Sequence, residues 1–215
     1  MTRPVASLTL LLRLYRVLIG LAGPLMFRKV AAKLRVHGVP EPRIRERLGH
    51  ATLPRPAGNL LWLHAASVGE SLSVLTLITA LGERRPDLSF LITSGTATSA
   101  DLIARRLPAR TTHQFAPLDT PAAVTAFYDH WQPQAGIFVE SELWPNMLLG
   151  ARNRGIRLAL LNARLSEKSV RGWQKWPATA AQVLGCFDVL IALVIESSVI
   201  LRAGNSHGFS EFFKE

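Results

Sequence analysis

From Leu60 to Ala192 short apolar runs alternate with segments whose apolar residues recur at helical spacing, and nothing else limits the possible folds as strongly. The runs at 60–64, 88–93, 135–139, 157–161 and 188–192 read as strands, with a weaker one near 112–115. The segments 70–84, 97–107, 120–131, 144–154 and 170–184 read as helices. Strand and helix in turn imply βαβ units, hence an α/β domain over 60–192 whose parallel sheet is covered on both faces. The stretch 37–59, with Pro40, Pro42, Pro54, Pro56 and Gly58, reads as a linker.

The polar motifs fall where the strands end. Ser67, Gly69 and Glu70 follow the first run, and Ser94, Gly95 and Thr96 follow the second. Glu140 follows 135–139, and Asn162 and Arg164 follow 157–161. In a parallel sheet these turns share one rim, where ligands of open α/β sheets collect, so they are expected to wall one cleft. Ser94, Thr96 and the amides at helix starts suit anionic groups.

Several chemistries are disfavoured. The chain has no Walker phosphate loop and no G-x-G-x-x-G. It also lacks a G-x-S-x-G elbow, and its six histidines show no H-x-x-x-H spacing, so a catalytic metal is not expected. His64 reads as a strand-end residue bonded to backbone. Carboxylates remain. One acid on the rim can take a proton from an attacking sugar hydroxyl, and a second can stabilise an oxocarbenium-like centre. Glu70 and Glu140 are the candidates, although such pairs also serve hydrolases. A glutamate in a first helical turn is equally a dipole cap, so both readings of Glu70 stand. Glu142, just before Pro145, reads as a helix-start acid.

The charge is uneven. The net charge is +10, yet residues 1–55 carry 11 Lys and Arg against 2 Asp and Glu, while residues 56–215 carry 14 against 13. A nearly neutral globular part argues against a nucleic-acid partner. The basic excess surrounds an apolar stretch, Val5 to Phe27, interrupted by Arg13 and Arg16 and followed by Arg28, Lys29, Lys33 and Arg35. Residues 1–36 therefore read as a membrane helix, lying in the interface or tilted with snorkelling arginines, at an anionic cytoplasmic surface. The single cysteine, Cys186, lies among apolar residues and reads as a buried thiol.

Three motifs in order, HAASVGE at 64–70, VESELWPN at 139–146 and LNARLSEKS at 161–169, resemble the N-terminal half of the 3-deoxy-D-manno-octulosonic acid (Kdo) transferases. ERLG at 46–49, PLDTP at 117–121 and the basic N-terminal helix are similar too, and the resemblance covers about 5–192. It implies a GT-B glycosyltransferase with two Rossmann-like domains, at the cytoplasmic face of the inner membrane. Such an enzyme moves Kdo from CMP-Kdo to a lipid A precursor (lipid IVA), with inversion and without metal or other cofactor. It also implies that Glu70 is the proton acceptor and Glu140 the transition-state stabiliser, and that 60–192 is the acceptor-binding domain.

Residues 193–215 depart from the family pattern, and the donor-binding domain, the natural intramolecular partner, does not follow. The expectation is a truncated or frameshifted product with little turnover on its own. The alternative is a non-catalytic, membrane-attached module that binds the lipid acceptor.

Overall fold

A computed structural model describes residues 7–140, 143–162, 167–194 and 197–202. It contains β1 (Asn59–His64), β2 (Leu88–Ser94), β3 (Thr111–Phe115), β4 (Ala135–Val139), β5 (Arg157–Leu161), β6 (Val189–Val194) and β7 (Ser197–Arg202). The helices are α1 (Leu10–Val36), α2 (Glu41–Ile44), α3 (Val68–Arg84), α4 (Ala97–Ala104), α5 (Pro121–Trp131), α6 (Pro145–Asn153), α7 (Glu167–Gln174) and α8 (Pro177–Leu184). The strands form one sheet in the order β3-β2-β1-β4-β5-β6-β7. β1 to β6 are parallel, and β7 returns antiparallel to β6. The domain is thus α/β and Rossmann-like.

Period-two alternation sorts each strand between two cores. Leu60, Trp62, Leu91, Phe138, Leu158 and Leu160 pack with α5, α6 and α8 on one face. Leu63, Phe90, Ile92 and Val139 pack with α3 and α4 on the other. Trp62 centres the first core, with its ring 5.2 Å from Phe127 and 4.9 Å from Phe138. The chain winds from β1 outward to β3, then crosses to β4 on the far side of β1. The strand order reverses between β1 and β4, the switch point at which such sheets open a crevice.

Three expectations need correction. Residues 37–59 are no linker: they hold α2 and a 3-10 turn (Arg45–Leu48), with Ile44 and Glu46 fully buried. The helix read over 170–184 is two helices, because Trp176 precedes a proline and proline disfavours helical geometry at the residue before it. The sheet does not stop at 192: β6 runs to Val194 and β7 adds an edge. As expected, α1 is apolar and long enough to cross a membrane, and one side of it packs on the domain. Leu12 enters the first core, and Ala31 and Leu34 pack with Ile44 and Phe115. Its Gly23 approaches Thr120, where an added Cβ would come within 3.1 Å of Thr120 Cγ2.

Candidate active site

Glu70 stands in the first turn of α3 because small residues let the chain turn sharply after β1. Ser67 caps the helix, its Oγ accepting the Glu70 amide at 3.2 Å. Glu70 reaches back, its Oε2 accepting the Ala66 amide at 2.8 Å. This exchange resembles a capping box, shifted by one residue. The residue is only 8% exposed. The capping role of Glu70 is therefore real, and it holds the acid at the end of β1 rather than out in solvent.

Glu140 follows β4, the strand next to β1, so the two acids follow adjacent strands at the switch point. Its amide donates to the Leu161 carbonyl at 2.9 Å, and Asn162 Nδ2 approaches its Oε1 at 3.4 Å. Glu140 and Asn162 both have left-handed backbone, with φ of 62° and 53°. Non-glycine residues hold that conformation at a cost of about 1–3 kcal/mol, which clusters at functional sites. Arg110 and Gln132 share that conformation at the opposite edge of the sheet, so it does not by itself single out this rim.

The remaining candidates divide. Ser67, Gly69 and Thr96 are exposed on the rim and Gly95 is partly so. A Cβ at Gly69 or Gly95 would meet nothing within 4 Å, and neither has positive φ. Neither packing nor backbone geometry calls for glycine there, so both leave open space for a ligand to approach. Ser94 is different. It is fully buried, and its Oγ lies 2.9 Å from His113 Nε2. Arg43 donates to His113 Nδ1 at 2.7 Å, so Nε2 carries the proton and donates to Ser94. The Ser94 hydroxyl therefore serves the interior, and the Thr96 hydroxyl caps α4, accepting the Ser99 amide at 3.1 Å. Arg164 and Glu142 lie outside the described residues.

His64 is buried, and its Nδ1 lies 2.9 Å from Thr93 Oγ1. Cys186 is buried and donates to the Gln182 carbonyl, and burial pushes its thiol up to about 11. Among the described residues no group of three or more His, Cys, Asp or Glu could share a metal ion.

Sequence reasoning missed Asp119. It is buried in the turn between β3 and α5, and its carboxylate accepts the amides of Asn146 at 3.0 Å and Met147 at 2.8 Å and the Tyr15 hydroxyl at 2.7 Å. Burial pushes its carboxyl up to about 6, against the pull of these donors and of His64. Asp119 stands two residues before α5 but does not cap it. Thr120 takes that task, its Oγ1 accepting the Ala123 amide, and only folding brings Asp119 to α6.

Residues 42–202 match the family described as 3-deoxy-D-manno-octulosonic-acid transferase (kdotransferase). The chain belongs to the Kdo transferase family. The match runs through β7, past the break read at 193. A probable 3-deoxy-D-manno-octulosonic acid transferase, mitochondrial, of Arabidopsis thaliana is 42% identical over 162 residues, 75% of this chain and 36% of that protein. The 3-deoxy-D-manno-octulosonic acid transferase of Rickettsia bellii is 37% identical over 200 residues, 93% of this chain and 47% of that protein. The chain therefore spans less than half the length of these relatives. A solved UDP-GlcNAc 2-epimerase from Neisseria meningitidis, bound to UDP-GlcNAc, aligns with a TM-score of 0.44 at 12% identity, covering 62% of this chain and 40% of that one.

Proposed function

We propose that this chain supplies the acceptor side of Kdo transfer from CMP-Kdo to a lipid A precursor in lipopolysaccharide synthesis. The observation that supports the reading is that Glu70 and Glu140, the two acids of the family motifs, follow neighbouring strands at the switch point of the sheet. Glu70 takes the proton of an acceptor hydroxyl as its oxygen attacks the anomeric carbon of Kdo. The bond to CMP breaks on the opposite face, so configuration inverts. Glu140 stabilises positive charge developing on the sugar. Gly69, Gly95, Thr96 and Ser67 line the acceptor's approach, and Asn162 and Arg164 contribute from the β5 end. The reaction as proposed uses no metal or other cofactor.

The acceptor's membrane origin has support in α1. Leu10, Leu14, Val17, Leu18, Leu21 and Leu25 form an exposed stripe at helical spacing, opposite the docked face. Arg28 and Lys29 extend it with positive charge, suited to anionic headgroups. Through Thr120 and Asp119, α1 rests on turns of the rim that carries both acids. The helix would lie in the cytoplasmic interface of the inner membrane, with the crevice beside it.

Glu70→Gln is the decisive variant, because glutamine can keep the cap but cannot take the proton. Assayed with CMP-Kdo and lipid IVA, transfer by the 215-residue chain should fall by roughly 10²- to 10⁴-fold while acceptor binding persists. Acceptor binding without transfer by either protein would instead favour the non-catalytic lipid-binding module. Absence of both would sink the proposal.

A further inference from the structure

Asp119 joins three elements that are far apart in sequence. Trp144, the residue before α6, gives that helix no side-chain cap. The first free amides of α6, at Asn146 and Met147, go instead to the Asp119 carboxylate, and Asn146 Nδ2 donates to the Asp119 carbonyl at 2.5 Å. A carboxylate from another turn thus does the capping that a helix start requires. Pro145 begins α6 only a few residues after Glu140, so the start of α6 is one anchor of the segment that carries this acid. The other anchor is β5, which binds the Glu140 amide through Leu161. The left-handed backbone at Glu140 persists only where its surroundings hold it.

The third element is α1. Tyr15 gives its hydroxyl to Asp119 Oδ2, and Gly20 and Gly23 seat the same helix on Pro121 and Thr120. We infer that Asp119 is a positioning residue for Glu140, and that Tyr15 makes the docked α1 part of that hold. The inference rests on the reading of Glu140 as a site residue. It extends that reading to a link between the helix with the exposed apolar stripe and one of the two acids.

Amide hydrogen exchange of the full chain, read residue by residue, tests this with Tyr15→Phe and Asp119→Asn. Tyr15→Phe keeps the ring and removes one donor, so it decides the matter if Asp119→Asn does not fold. The expected result is a rise of roughly three- to tenfold at Asn146, Met147 and Glu140, with β1 and β2 unchanged. Equal acceleration throughout the sheet would reduce Asp119 to a stability role and overturn the inference. So would a rise at Asn146 and Met147 that leaves Glu140 untouched, or no change at all in Tyr15→Phe. Glu140→Gln, assayed for transfer and acceptor binding, separates the two claims. If it matches the wild type, Glu140 loses its site role while the exchange result still reports the link between α1 and α6.

Discussion

A side chain proposed for the site can also serve the fold, and Glu70 shows the difficulty most directly. Its carboxylate binds the Ala66 amide, so Glu70→Ala would lose a cap of about 1 kcal/mol along with any basicity. His113 is the complementary case, a titratable residue wholly occupied by structure. Burial and the Arg43 charge push its imidazole down to about 3. The unfolded chain takes up a proton near pH 6.5 and the fold does not, so this contribution to stability is lost as pH falls through 6.5. Asp119 has the opposite sign. Its carboxyl is raised to about 6, so between roughly pH 4 and 6 the fold holds a proton that the unfolded chain has released. Its contribution is therefore lost as pH rises through that window, and buried Glu46, also raised, acts in the same sense. The wild-type profile is flattened by this opposition. His113→Gln isolates the imidazole: the stability difference between wild type and variant, from urea denaturation, should shrink by about 2 kcal/mol between pH 7.5 and pH 5. A difference independent of pH would mean that His113 titrates normally in the fold.

At the scale of elements, two motifs without candidate chemistry prove to hold each other. Glu46 accepts the Phe115 amide at the end of β3, and Arg47 binds the Ala116 carbonyl and receives the Leu118 amide. ERLG thus straps the start of PLDTP, the turn that seats α1 and caps α6. Gly49 closes the strap. Its φ is +85°, and a Cβ there would stand 2.1 Å from the Ala123 carbonyl of α5. Gly49→Ala should therefore destabilise the chain by more than about 1 kcal/mol, since backbone cannot yield as a flexible side chain does. Thermal unfolding measures it, and a melting temperature equal to wild type would refute the close approach. The Pro- and Gly-rich composition of 37–59 suggested a connector. Its burial depends on Ile44, Glu46 and Arg47 finding partners about seventy residues away, a distance that local pattern does not report.

For the molecule as a whole, the uneven charge and the exposed α1 stripe point the same way. Leu14, Leu18 and Leu21 are at least half exposed, and Leu21 reaches 77%. Replacing all three by Gln should cut flotation with anionic vesicles by tenfold or more, since each buried leucine contributes about 1.5–3 kcal/mol of transfer. Because these residues face away from the domain, the unfolding midpoint should stay near that of wild type. Loss of stability without loss of vesicle binding would place the stripe inside an intramolecular interface instead.

The strand-and-helix alternation, the shared rim of polar turns and the candidate acids were all legible in the sequence. Each follows from a periodicity or from a residue's place beside its own strand, and these are local properties. The motifs also carried the family, because three short signatures in fixed order are specific without any geometry. Other features required the folded chain. Burial turned Ser94 inward to His113, and docking of α1 through Tyr15 and Gly23 brought that helix onto the domain. The strand order put the segments after β1 and β4, which carry Glu70 and Glu140, next to each other. Asp119 makes the distinction clearest. It stands beside α5 in sequence, whereas long-range packing gives it to the start of α6, because an unsatisfied helix terminus accepts whichever carboxylate the fold brings within reach.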